Sequence, residues 1–144
     1  MTPTKLITTI HWKLPKEAKE YFEANKDLHT LVFGGGKKHL DSIKDKWLKD
    51  NCIPDDVVTP NISDLNPQLN EMTTIYLIHN HLGLLDGYTA NIGHVHYRRF
   101  FARQDLEDID TCDGIIATAS SLNVAGFNCT LEKQYALCHY AEDF

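Results

Sequence analysis

Twice within the first fifty residues, a β-rich stretch is followed by a helical one, and this alternation narrows the possible folds more than any other feature of the chain. KLITTIHW (5–12) is β-rich and alternates little, as a strand buried on both faces does. LPKEAKEYFEAN then places Ala18, Tyr21 and Phe22 on one helical face. LHTLVFGGG (28–36) repeats the strand-to-turn pattern, and in KKHLDSIKDKWLKD the spacing of Leu40, Ile43 and Trp47 is helical, with lysines and aspartates covering the other face. Strand, helix, strand, helix is the order of an α/β domain, because parallel neighbours need a crossover between them. A mostly parallel sheet with flanking helices is the expected fold.

The remainder extends the pattern. Residues 51–66 are rich in Pro, Asp, Asn and Val and read as a surface loop. A helix should start at Asn66, as N-cap, with Pro67 in the first helical position, and run through QLNEMTTIYLIHNHL. TANIGHVHY and DGIIATA (113–119) are further strands, and TLEKQYALCHYAEDF is a closing helix with Thr130 as its cap. Strands near 5–11, 29–33, 90–96 and 113–118 are expected to form one sheet whose C-terminal ends line a shared crevice. At 144 residues the chain is the size of one domain, without a repeat or linker.

Charge and composition restrict the partners. Residues 1–50 hold ten basic and seven acidic side chains and the rest four and thirteen, so the two parts carry +3 and −9. The acidic second part argues against a nucleic-acid phosphate track. Within it, however, Arg98, Arg99 and Arg103 are every arginine of the protein, a concentration suited to one anionic group. No apolar run approaches the roughly 20 residues of a membrane span. The start, MTPTKLITTIHWK, lacks the pattern of a secretory signal, and Cys52, Cys112, Cys129 and Cys138 form no C-x-x-C pair. A cytoplasmic chain, or one peripheral to the membrane, is expected.

Half of the eight histidines lie between residues 78 and 101. His79 and His81 are two residues apart on the expected helix, about 200° around it, and cannot grip one ion. His94 and His96 share a face on a strand, so a metal chelate is conceivable there, although an ordinary hydrogen-bonded histidine is commoner. His96 and the arginines after it fall near the C-terminal end of a parallel strand, where α/β proteins bind ligands. The triple glycine at 34–36 lacks the spacing of the strong phosphate-binding motifs and reads as a tight turn. Asp108 and Asp110 have D-x-D spacing, a weak metal signal within an acidic run.

Two stretches are specific in combination. NISDLNPQLNEMTTIY (61–76), followed by IGHVHYRRFF (92–101), resembles a bacterial capsular and exopolysaccharide biosynthesis family, a domain of unknown function treated as glycosyltransferases. Weaker agreement includes the strand ending at His11, the glycine turn, CDGIIA and TLEKQYALCHYAED. The resemblance implies a Rossmann-like α/β fold similar to the nucleotide-sugar half of a GT-A type glycosyltransferase. It implies transfer of a sugar from a nucleotide-sugar donor to a polysaccharide, glycan or lipid-linked acceptor. The donor would be held by His11, Asn61, Asn66, Arg98 and Arg99, with Glu71 and His96 as catalytic residues. For Glu71, holding Arg98 or Arg99 in position is preferred to accepting a proton from the attacking hydroxyl. Asn66 has a sufficient structural role as a helix cap. A divalent metal, manganese or magnesium, is compatible with the motifs but not required by them, with Asp108, Asp110 and His94 as weak candidate ligands.

Members of the resembled family continue beyond the position of Phe144, so the 144 residues are expected to be a single glycosyltransferase-like domain lacking the acceptor-side segment, inactive alone. The closing helix 130–143 is the expected contact for a partner chain or a second copy. The principal alternative is a catalytically inactive nucleotide-sugar-binding or scaffold protein of a polysaccharide-building complex. A metal-dependent hydrolase built on His94, His96 and Asp110 is weaker.

Overall fold

β1 (Thr4–Ile10) is the strand around which the sheet is built. The computed structural model describes residues 4–85, 90–97 and 106. On one side β1 pairs in parallel with β2 (His29–Phe33), with Ile10 opposite Phe33, and on the other with β4 (Asn91–His96), with Thr9 opposite His96. A two-residue strand β3 (Ile53–Pro54) pairs in parallel with the end of β2. The order β3-β2-β1-β4 is parallel throughout, an α/β arrangement consistent with a Rossmann-like fold. The expected strands at 5–11, 29–33 and 90–96 coincide with β1, β2 and β4 to within a residue. Those at 113–118 and the closing helix lie outside the described residues, as do Arg98, Arg99, Arg103, Asp108 and Asp110.

Alternation along the strands divides the core between the two faces. Ile10, Leu31 and Phe33 pack with Ala18 and Phe22 of α1 (Lys16–Ala24) and with Leu48 of α3 (Lys46–Asn51). Ile7 and Val32 face the other way, onto Leu77 of α5 (Met72–Asn80) and onto Leu85. Leu6, Leu28, Val95 and Leu106 form a further cluster. Each of the large side chains so buried contributes roughly 1.5–3 kcal/mol. Buried His29 is hydrogen-bonded through both ring nitrogens, at 2.8 Å with the Thr8 hydroxyl and at 3.2 Å with that of Tyr21. Cys52 is a free buried thiol, whereas the other three cysteines lie outside the described residues.

The structure divides two helices that periodicity reads as continuous. The stretch 37–50 forms α2 (Gly36–Ser42) and α3, separated where Ile43 adopts an extended backbone. Asp45 causes the restart: its carboxylate accepts from Trp47 N–H at 3.1 Å and Leu48 N–H at 3.4 Å, the geometry of a strong N-cap, and pairs with Lys19 at 2.5 Å. The helix expected from Asn66 to Leu82 is likewise two, α4 (Asn66–Leu69) and α5. They part at Asn70, whose positive φ of 51° a right-handed helix cannot accommodate. Asn66 is therefore not an N-cap, since Leu65 holds that position. Its amide instead donates forward, at 2.9 Å to the Asn70 carbonyl and at 3.0 Å to the Thr73 hydroxyl, and fastens the break. The stretch expected to be loop also holds β3 and a 3-10 turn, Ser63–Leu65.

Candidate functional site

From β1 the chain steps outward to β2 and β3, then recrosses to place β4 on the free side of β1. The strand order thus reverses between β1 and β4, and the C-terminal ends of two such strands are where open α/β sheets bind ligands. A cavity of about 470 Å³ lies there, a size typical of small-molecule sites. The end of β1 contributes Thr9, Ile10, His11 and Trp12, and the end of β4 contributes His96 and Tyr97. Gly34 and Gly35 come from the β2–α2 turn and His39 from α2, and the segment after β3 adds Ser63, Asp64, Asn66, Asn70 and Glu71.

The strand ends are tied together. Tyr97 N–H donates to the Thr9 carbonyl at 3.0 Å, continuing the ladder one residue past β4. The buried Tyr97 ring stacks on His11, with centroids 6.0 Å apart and planes 16° apart, and its centroid lies 4.3 Å from that of His96. His94 sits on the same strand face as His96 and shares a 2.8 Å hydrogen bond, through Nε2, with the Thr9 hydroxyl. Burial pushes the pKa of His94 down, the Glu71 carboxylate draws it partly back up, and His96 pushes it down again. A neutral His94 is thus a brace for Thr9 in the cavity wall.

The glycine turn is closed from within. Asp55, 1 % exposed, accepts from Gly35 N–H at 3.1 Å, from Gly36 N–H at 2.8 Å and from the Ser63 hydroxyl, while Asp56 accepts from Lys37 N–H at 2.8 Å. The backbone amides that a phosphate would need in such a turn already hold the protein's own carboxylates. Gly35 (φ 99°) and Gly36 (φ 80°) occupy the left-handed region, which explains why glycine stands at both. Gly34 is needed for space: a Cβ there would lie 2.6 Å from Asn66 Nδ2.

Of the site residues expected from the sequence, His11, Asn66, Glu71 and His96 converge on this cavity. Glu71 is exposed and occupies the N-cap position of α5 rather than a place one turn inside a helix. Asn61 braces its own loop, donating to the Val58 carbonyl at 3.0 Å and accepting from Ser63 N–H at 3.3 Å. Arg98 and Arg99 follow Tyr97 in the chain and lie outside the described residues, as do Asp108 and Asp110. Among the described residues no three His, Cys, Asp or Glu side chains are grouped to hold a metal ion, and one ring nitrogen of His94 is engaged by Thr9.

The sequence reading missed Trp12, Ser63, Asp64 and Asn70 as wall residues. Trp12 carried a usable signal, as an aromatic residue directly after a parallel strand. Ser63 and Asp64 enter through the 3-10 turn, and Asn70 through the break after α4.

A family model described as a domain of unknown function (DUF4422) matches residues 19–144, most of the chain. The chain belongs to this family. No curated protein and no solved structure matches this DUF4422 member significantly. The family's description assigns no activity.

Proposed function

We propose that the cavity binds a nucleotide sugar and that the protein is a glycosyltransferase, passing the sugar to a polysaccharide, glycan or lipid-linked acceptor. The observation that carries this reading is the position of His96 and Tyr97 in the wall of a cavity at the strand-order reversal, with Arg98 and Arg99 next in the chain. Departure of a nucleoside diphosphate develops negative charge that fixed cations stabilise. Two guanidinium groups anchored one and two residues beyond the wall can supply them, and guanidinium forks match phosphate geometry. The exposed carboxylate of Glu71, lining the same cavity, either orients one of these arginines or takes the proton of the attacking hydroxyl. His96, facing the same space, is the second candidate for moving that proton.

No helix among the described residues is long and apolar enough to cross a membrane. A cytoplasmic chain, peripheral to the membrane where its acceptor is lipid-linked, accords with this reading.

The test is calorimetric titration with uridine, guanosine and thymidine diphosphate sugars, with and without manganese, followed by the best donor against Arg98→Ala and Arg99→Ala. A charge-assisted contact contributes roughly 1.5–3 kcal/mol, so at least one variant should bind about tenfold or more weakly. Unchanged affinity in both would refute the arginine assignment. Absence of binding across the panel would refute the nucleotide-sugar reading. Product formation by the wild-type chain separates a transferase from a protein that only binds.

A further inference from the structure

We infer that Trp12 is the stacking platform for the nucleobase of the donor, so that the base lies against the end of β1 and the sugar against the Asp64–Glu71 segment. This rests on the nucleotide-sugar reading above and adds to it the orientation of the ligand. Trp12 is 43 % exposed, yet it lines the cavity, whereas the other large exposed apolar residues among those described, Val57, Leu65 and Leu84, do not. An exposed apolar side chain is ordinary in itself. One that lines a small-molecule cavity offers a flat apolar surface where the remaining lining is largely polar.

The walls sort by chemistry. The ends of β1 and β4 present rings: Trp12, His11 with its centroid 5.6 Å from Trp12, and Tyr97 stacked on His11. The Lys13 ammonium, which does not line the cavity, sits over one face of the Trp12 ring, 4.2 Å from its centroid, and so leaves the opposite face for a base. The segment after β3 presents Asp64, Asn70 and Glu71, whose oxygens accept from hydroxyl groups. A nucleobase has a π-face and suits the first wall. A hexose, rich in hydroxyl donors, suits the second. The glycine turn does not compete as a phosphate seat, because Asp55 occupies its amides.

Tryptophan fluorescence provides a direct test, since the chain has only two tryptophans. Trp47 is committed elsewhere, donating through Nε1 to Glu23 at 2.7 Å and packing against the core between α1 and α3. The full chain would be titrated with uridine, guanosine and thymidine diphosphates and, in parallel, with inorganic diphosphate, following emission and heat together. Nucleoside diphosphates should quench the emission and inorganic diphosphate should not. Trp12→Ala should weaken nucleoside diphosphate binding at least about fivefold, the low end of a lost base stack, and leave inorganic diphosphate unchanged. Trp12→Phe should retain most of the affinity while losing the quench. Nucleotide binding by calorimetry with neither a quench nor an effect of Trp12→Ala would overturn the inference and leave the nucleotide-sugar reading standing. No heat with any nucleoside diphosphate or nucleotide sugar would overturn both.

Discussion

The Asp55 carboxylate holds the Gly36 N–H at 2.8 Å, and through this contact β3 is fastened to the start of α2. Asp55 also donates its own N–H to the Phe33 carbonyl at 3.0 Å and accepts from Ser63, so a single residue links the end of β2, the glycine turn and the segment that forms one cavity wall.

Asp55→Ala should therefore be costly. It leaves two backbone donors and one hydroxyl without their acceptor in a buried place, where each unsatisfied group costs about 1–3 kcal/mol. A loss of about 3 kcal/mol in urea unfolding is expected, with Asp55→Asn intermediate because one oxygen can still accept. A loss under about 0.5 kcal/mol would mean that the contact organises nothing.

Gly34 and Asn66 should be coupled. The methyl of Gly34→Ala would lie 2.6 Å from Asn66 Nδ2 and displace an amide that donates to both Asn70 and Thr73. A cost of about 1–2 kcal/mol is expected in the wild-type background and much less in Asn66→Ala. Strict additivity in that double-mutant cycle would contradict the packing described.

His94 should make the fold acid-sensitive. Its pKa lies below the ordinary 6.5, chiefly through burial, so the unfolded chain takes up a proton at a pH where the folded chain does not. The contribution of neutral His94 to stability is full above about pH 6.5 and is lost as pH falls from there toward the folded value. His94→Gln, which can still bond to Thr9, should flatten the pH dependence of unfolding in that window. In an NMR titration, Glu71→Gln should lower the His94 midpoint further by removing the attraction that raises it. An upward movement would reverse the assigned sign.

Thr74 offers a gain. Its hydroxyl is fully buried on α5 without a hydrogen-bond partner among the described residues. Thr74→Val keeps the shape and removes the unsatisfied group, so thermal unfolding should rise by the equivalent of about 1 kcal/mol. A destabilised variant would show that the hydroxyl has a partner in solution.

Local pattern was enough for the framework. β1, β2, α1 and β4 were legible because strand and helix periodicities are written in consecutive residues, and their order implied a parallel sheet with ligands at its C-terminal ends. A resemblance to other chains marked His11, Asn66, Glu71 and His96 as candidate site residues, and the structure brings these four to one cavity. Periodicity failed where one residue outweighs it: Asp45 restarts a helix across the spacing of Leu40, Ile43 and Trp47, and the positive φ at Asn70 divides the next. Tertiary structure alone decided the rest. Asp55 reaches the glycine turn across about twenty residues of chain, and no local rule in the sequence says which acceptor those amides will find. The wall position of Trp12 likewise exists only once β4 lies beside β1, because the cavity is a space between strands that are eighty residues apart in sequence and neighbours in the sheet.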